Sequence, residues 1–330
     1  MIARIVDTLL DRTVAPGYSR LGYLLRSAGF VGDRADPAPD ALRGRVVLVT
    51  GASAGLGTAT VEGLARLGAT VHLVVRDAGR GERARDAVAA AVPGADLHVS
   101  LCDLADLDAV RRAGRELTDA RPDVLVHNAG VLPPSRILSP QGFELAFATH
   151  VLGPHLLTSL LAPAMAPDGR VVFVSSGGMY AQKLDLDDAE LSAGGASSDT
   201  ASTTPYNGTA AYARTKRMQV VLTGLWADRL AASGVSVHAT HPGWADTPGV
   251  TSSLPAFRTI VGPLLRTPAE GADTAVWLSA APAPVIGTGR FWHDRRARPE
   301  HYVPWTRETP ADRERLWTVC QTLTGETQTV

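Results

Sequence analysis

From Arg45 to Thr240, short apolar runs rich in β-branched residues recur along the chain: RVVLVT, ATVHLVV, ADLHVS, DVLVHN, GRVVFVSS and VSVHAT. The stretches between them are long enough for a helix each. Strands that read as nearly continuous apolar runs are covered on both faces, and regular alternation with helices makes right-handed βαβ units. The pattern predicts an α/β fold built on one doubly wound parallel sheet, and GRFWH, residues 289–293, adds a candidate seventh strand. Residues 43–298 are expected to form the single body of the protein. Residues 1–42 precede it as a helical extension ending in the Pro/Asp-rich linker DRADPAPD, and residues 299–330 follow as a charged tail with no assigned place. Within the body, residues 184–206 are small, polar and acidic; a loop of that length in a compact domain reads as a lid or substrate loop.

With 330 residues, 45% of them hydrophobic and 20% charged, the chain has the make-up of a globular protein with a large core. The formal net charge of −1 leaves no surplus of cations to follow a phosphate backbone, so nucleic acid is not an expected partner. Cys102 and Cys320 lack metal-type spacing and are too few for a disulfide framework; they read as free thiols in a reducing, cytoplasmic setting, and no metal site is expected. The start of the chain has no apolar core followed by a cleavage site of the secretory kind. Its periodicity at Ile2, Ile5, Val6, Leu9 and Leu10 reads as a helix packed on the body or over its cleft, the alternative being a peripheral membrane contact through residues 1–30. The apolar run HVLGPHLLTSLLAPAM carries His, Thr, Ser and Pro inside it and is not expected to cross a bilayer. Assembly into a homo-oligomer is left open.

The first apolar run leads directly into TGASAGLG, Thr50–Gly57, where a helical pattern opens. Gly51 permits the tight turn, Gly55 lets the backbone approach a pyrophosphate, and Gly57 lets helix and strand pack closely. The N–H groups and dipole of the helix start then face the phosphates, as in Rossmann-type dinucleotide-binding sheets. The second run ends in VVRD, with Val75 where an NAD-binding protein places an acidic residue on the ribose hydroxyls. Arg76 follows, and a guanidinium suits an extra ribose phosphate; Arg80 and Arg83 lie nearby. NADP, as NADPH, is therefore favoured over NAD.

The spacing Thr-Gly-x-x-x-Gly-x-Gly resembles the short-chain dehydrogenase/reductase superfamily, and the resemblance runs from about Arg45 to Arg295. It implies a cofactor site that includes Gly51, Ser53, Ala54, Gly55, Leu56, Gly57 and Arg76. It also implies that Asp103 and Leu104 of CDLAD hold the adenine and that Asn128, Ala129 and Gly130 of HNAG sit beside the cofactor ribose. Pro242, Gly243 and Thr247 of HPGWADT would lie beside the nicotinamide. The stretches SSGGMYAQKLD, NGTAAYARTKRMQVVLT, HPGWADTPGV, EGADTAVWL and GRFWHDR resemble the retinol-dehydrogenase-like branch.

Lysine occurs at Lys183 and Lys216 alone among 32 Lys and Arg residues. Lys216 follows Tyr212 by four positions, and Met218, Val221, Leu222, Leu225 and Trp226 give the stretch a helical period, so the two share a face one turn apart. An ammonium about 5 Å away at an effective dielectric of 20 favours the phenolate by about 3 kcal/mol, roughly two pKa units. Tyr212 is thus expected to exchange protons near neutrality. The resemblance gives Lys216 the further task of holding the nicotinamide ribose, and gives Ser176 the polarisation of the substrate oxygen, with Ser175 as the alternative. His150, in FATHVLG, stands where most family members carry an Asn that helps hold a water linking the lysine to solvent. It either keeps that relay by titrating near neutral pH or fills space.

These readings imply an NADP(H)-dependent oxidoreductase interconverting a carbonyl and an alcohol, with Ser176, Tyr212, Lys216 and His150 as the catalytic group. A small lipophilic carbonyl or alcohol is the expected substrate, with Met179, Tyr180, Trp244, Leu254, Phe257 and Trp292 as pocket candidates. The alternative is a cofactor-binding regulator or scaffold that has lost catalysis. The glycine spacing disfavours an epimerase or dehydratase.

Overall fold

A computed structural model describes residues 7–8, 10–186, 206–246 and 261–326. The described strands are β1 (Val46–Thr50), β2 (Thr70–Val75), β3 (Asp96–Leu101), β4 (Val124–His127), β5 (Arg170–Val174), β6 (Ser236–Thr240), β7 (Arg290–His293) and β8 (Arg296–Arg298). They form one sheet in the order β3-β2-β1-β4-β5-β6-β7-β8. Every neighbouring pair is parallel except β7 with β8. Strands β1, β4, β5 and β6 are buried almost end to end, as a sheet covered on both faces requires. Strand order reverses about β1, so the crevice beyond the carboxyl ends of β1 and β4 is the switch point where such sheets bind ligands.

Two short helices, α1 (Val14–Tyr18) and α2 (Arg20–Ser27), precede the sheet. Helices α3 (Gly55–Arg66) and α4 (Ala78–Ala91) cover one face, while α5 (Leu107–Thr118) lies on the other with α6. Helix α6 begins as Leu145–Phe147, loosens into a π-helical turn at Ala148–Leu152 and resumes as Gly153–Leu161. Helix α7 (Gly208–Arg229) shares its face, and α8 (Pro268–Ala280) packs on α3 on the opposite face. Successive strand residues feed opposite cores: Leu125 joins Phe173, Leu156 and Trp226, whereas Val126 joins Val49, Leu73 and Trp277. The stretch Leu145–Ala164 is apolar enough by composition to cross a membrane, yet 89% of its apolar window is buried, which makes it the core helix under the sheet.

Both terminal segments fold back on this body. Ile2, Ile5, Val6 and Leu9 lie outside the described residues, and Leu10 is buried. An apolar stripe is not what holds α2 down: Leu21, Leu24 and Leu25 are exposed, and its buried members are Gly22 and Arg26. The Arg26 guanidinium pairs with Asp7 at 3.0 Å and with Asp294 at 2.8 Å. Asp294 also takes Arg266 at 2.6 Å, and Arg298 pairs with Asp7 at 2.8 Å. The segment after Arg298, left unplaced by its sequence, carries α9 (Pro310–Thr324). Its Trp317 packs on Trp226 of α7 and His155 of α6, with ring centroids 4.8 Å apart in both cases. Arg217 of α7, fully buried, binds Glu308 at 2.8 Å.

Candidate active site

Strand register gathers the sequence motifs at one edge. Thr50 pairs with Val74, Val126 with Val49 and Val174 with Thr240. Gly51, Arg76, Asn128, Ser176 and Pro242 therefore all leave the sheet on its carboxyl side. Gly51 and Gly55 take φ of +67° and +57°, a region that disfavours side chains. A Cβ on Gly51 would lie 2.6 Å from the Ala129 Cα, and one on Gly57 would overlap the Gly51 carbonyl. The turn is braced from β4: Asn128 Nδ2 donates to the Thr50 carbonyl at 3.0 Å, and the Asn128 and Ala129 N–H groups donate to Thr50 Oγ1 at 3.1 Å. Ser53, Ala54 and Leu56 are half-buried along it.

The start of α3 differs from its neighbours. Asp77, Asp106, Asn207, Thr267 and Thr309 cap the helices that follow them with a side-chain oxygen, which satisfies the otherwise orphaned first-turn donors. Ala54 supplies no side-chain cap to α3. Its first-turn N–H groups and positive dipole end are thus available to an anion. Arg76 is exposed at the end of β2, level with this turn, and makes no ion pair among the described residues. The residues present fit a dinucleotide whose phosphates lie on α3. Asp103 accepts the Ala105 N–H at 2.9 Å at the next strand end, and Leu104 is buried beneath Gly153.

Across the crevice stand the residues of β5 and α7. Ser176 lies beside the Tyr212 phenol, whose ionisation it favours, and accepts the Gly178 N–H at 3.2 Å. Ser175 is turned away and donates to the Lys216 carbonyl at 2.8 Å, so of the two serines only Ser176 meets the tyrosine. Lys216 is 2% exposed. Its Nζ donates to the Val174 carbonyl at 2.7 Å and to Gln219 Oε1 at 3.1 Å, and lies 5.5 Å from the centre of the Tyr212 ring. Gly130, exposed, forms the opening beside it: a Cβ there would be 3.9 Å from Nζ.

The electrostatics differ from the expectation. Burial raises the Tyr212 phenol above its ordinary pKa, with the Ser176 hydroxyl opposing it, and Lys216 does not govern it. Burial pushes Lys216 itself down to about 7. The expected acidified phenol assumed solvent and a freely directed ammonium; here desolvation opposes both charged forms. His150 does not titrate near neutral pH, because burial, with the Lys216 charge as a smaller effect, holds its pKa well below the usual value. Its Nε2 accepts the Val131 N–H at 2.9 Å, so Nδ1 carries the proton and donates to Thr215 Oγ1 at 2.8 Å. Thr215 Oγ1 in turn donates to the Tyr212 carbonyl at 2.8 Å. The imidazole is a neutral strut between the β4 loop and α7.

Residues that the sequence did not single out complete the surroundings. Gln219 Nε2 donates to the His150 carbonyl at 2.9 Å. Tyr18 brings the N-terminal segment onto the site: its carbonyl accepts the Trp244 N–H at 2.8 Å and its ring lies 4.2 Å from that of His241. A Cβ on Gly177 would sit 2.6 Å from that ring, so Tyr18 backs the loop that carries Ser176. Only the i, i+3 spacing of Gln219 from Lys216 could have signalled its place; Tyr18 carried no signal. Pro242 and Gly243 are half-buried beside this contact, Gly243 with φ +74° against Arg266.

Two pocket candidates belong instead to the interior. Met179 is buried under the Arg217 guanidinium, and Trp292 is buried against Trp277 on the opposite sheet face, donating to His238 at 3.2 Å. Tyr180 stacks on Tyr302 and donates to the Pro299 carbonyl at 2.7 Å. Thr247, Leu254, Phe257 and residues 187–205 of the expected substrate loop lie outside the described residues. A cleft of about 380 Å³ lined by Leu132, Pro133, Tyr206, Asn207 and Thr209 opens where α7 begins, one turn before Tyr212.

A doubly wound sheet whose first turn can seat a dinucleotide, facing a Ser–Tyr–Lys group across the crevice, is the architecture of a nicotinamide-dependent oxidoreductase. The chain belongs to the short-chain dehydrogenase family, whose model matches residues 45–183. It is similar to dehydrogenase/reductase SDR family member 12 of Bos taurus, 37% identical over 311 residues that cover 93% of each chain. Retinol dehydrogenase 14 of Homo sapiens is 31% identical, covering 87% of this chain and 88% of its own. Among solved structures, an uncharacterized protein from Mycobacterium paratuberculosis superposes with a TM-score of 0.67 at 28% identity, over 88% of this chain and 98% of its own. A protein described as an NAD(P)-dependent gluconate 5-dehydrogenase from Beutenbergia cavernae, with NADP bound at low occupancy, gives a TM-score of 0.62 at 26% identity, over 78% and 97%.

Proposed function

We propose that this protein is an NADP(H)-dependent oxidoreductase that interconverts a carbonyl and an alcohol on a lipophilic substrate, with Tyr212 as general acid and base. The observation that carries the reading is the half-buried Ser176 and Tyr212 with the buried Lys216 beside the exposed Gly130, across the crevice from the uncapped start of α3. When bound, the dinucleotide supplies a hydride to the carbonyl carbon or accepts one from the alcohol. Ser176 holds the substrate oxygen by a hydrogen bond. In reduction that oxygen takes the proton of the Tyr212 hydroxyl; in oxidation the tyrosine takes it back. A phenol whose pKa is raised by burial keeps its proton at neutral pH, which favours reduction. Lys216 supports the tyrosine from one turn below and has the opening at Gly130 through which to reach a ribose. The likeness to retinol dehydrogenase 14 supports a lipophilic substrate.

Arg76 carries the choice of NADP. Steady-state kinetics with a panel of long-chain aldehydes, retinoids, steroids and polyketide-like ketones should show kcat/KM at least about tenfold higher with NADPH than with NADH. Arg76→Glu should reverse that order. A wild-type preference for NADH would remove the NADP assignment, and no turnover on any of these carbonyls would remove the lipophilic carbonyl.

A further inference from the structure

Gln219 lies one helical turn after Lys216 on α7 and is fully buried. A buried carboxamide is costly unless both of its ends are bonded. Both are: Oε1 takes the Lys216 ammonium at 3.1 Å, and Nε2 gives a proton to the His150 carbonyl at 2.9 Å. One acceptor and two donors on a single rigid group suit it to join a cation to a carbonyl, which no carboxylate or cation could do. The carbonyl it reaches lies in the π-helical turn of α6, a distortion that often accompanies functional sites.

We propose that Gln219 is a positioning residue that ties Lys216 to the π-helical turn, so that a side chain supplies the link from the lysine that the family resemblance gives to an Asn-held water. The inference rests on the catalytic role proposed above for Lys216. The titratable groups that face the lysine are Tyr212, on its own helix, and His150, on α6. His150 is neutral and bonded at both ring nitrogens, and no carboxylate among the described residues pairs with Lys216. The remaining contact, Val174, is backbone. Gln219 is therefore the side chain that sets where the ammonium sits and how readily it gives up a proton.

The two lysines of the chain, Lys183 exposed and Lys216 buried, allow a direct test that does not depend on turnover. NMR of the full-length protein carrying carbon-13-labelled lysine should give one titrating signal for each. The tether predicts that the Lys216 midpoint rises by at least about one pH unit in Gln219→Glu, where a carboxylate replaces the amide, and falls in Gln219→Leu. The Lys183 midpoint should stay fixed in both. The limb of the kcat/KM pH profile that belongs to Lys216 should move the same way, with NADPH affinity retained. A merely structural Gln219 would lower the melting temperature and leave both midpoints alone, and an unmoved Lys216 midpoint in the folded Gln219→Glu protein overturns the proposal. Shifted midpoints in a protein that reduces no carbonyl would leave the tether standing and remove the catalytic reading instead.

Discussion

Lys216 holds a cation where water hardly reaches, and that has a consequence for stability as well as for chemistry. Its pKa falls from 10.5 to about 7 because burial disfavours the charged form. Between those values the unfolded chain binds the proton and the folded chain does not, so stability rises with pH through this window, is lost as pH falls from 10.5 to about 7, and levels off below, where both states are protonated. Urea unfolding without dinucleotide should show the wild type gaining on the order of 2 kcal/mol relative to Lys216→Met between pH 7 and 9; parallel curves would contradict it. Tyr212 and Lys216 were legible as a pair from four-residue spacing on one helical face. Their ionisation was not, because it depends on burial created by residues far along the chain. The same holds for His150, whose partners Val131 and Thr215 are 19 and 65 positions away. Spacing shows which side chains share a face, whereas solvent exclusion comes from the whole fold.

The β7–β8 hairpin shows how an element can be hidden in its sequence. Asp294 and Arg295 turn it with φ of 51° and 53°, positions normally given to Asn and Gly, so the stretch HDRR carried no turn signal. Ion pairs hold the unfavourable backbone. Asp294 accepts Arg26 and Arg266, and Arg295 binds Asp273 at 2.5 Å and Asp36 at 2.7 Å. Burial alone would raise the Asp294 carboxyl, yet Arg266 and Arg26 hold it below the usual carboxylate range. Asp294→Asn leaves the buried Arg266 guanidinium without its counter-charge and Arg26 with Asp7 alone, and should cost about 3–5 kcal/mol, read as a lower urea midpoint; a change below about 1 kcal/mol would show that the turn does not depend on these pairs. Five of the six earlier strands were readable because their apolar runs report burial directly; β3, at the sheet edge, has no buried residue, so it is not covered on both faces as its run suggested. The fifth, GRVVFVSS, even placed its serines at the strand end, although only the structure separates Ser175, bonded to the Lys216 carbonyl, from Ser176 at the phenol.

Across the whole molecule, both terminal segments are worked into the fold, and the first of them reaches the site. Tyr18 seats the N-terminal segment against the loops carrying Ser176 and Gly243, while α9 closes the far side of α7 through Trp317. Parallel register brings motifs spread over almost 200 residues to one sheet edge, which is why glycine turn, Asn128, serine and Tyr–Lys pair could be read as one site before any coordinates. The sequence suggested that the N-terminal segment packs on the body but not what holds it, a set of ion pairs without periodicity, and it left unplaced residues 299–326, which are held by Trp317 packing and the Arg217–Glu308 pair. The account stands or falls on hydride transfer assisted by Tyr212. Its most direct test is the rate of NADPH consumption with the best carbonyl of the panel in Tyr212→Phe, alongside the NADPH dissociation constant of the same protein. Turnover lower by about 10²–10⁴-fold with dinucleotide binding unchanged is the predicted result. A variant that reduces the carbonyl as fast as the wild type would contradict the role given to the phenol.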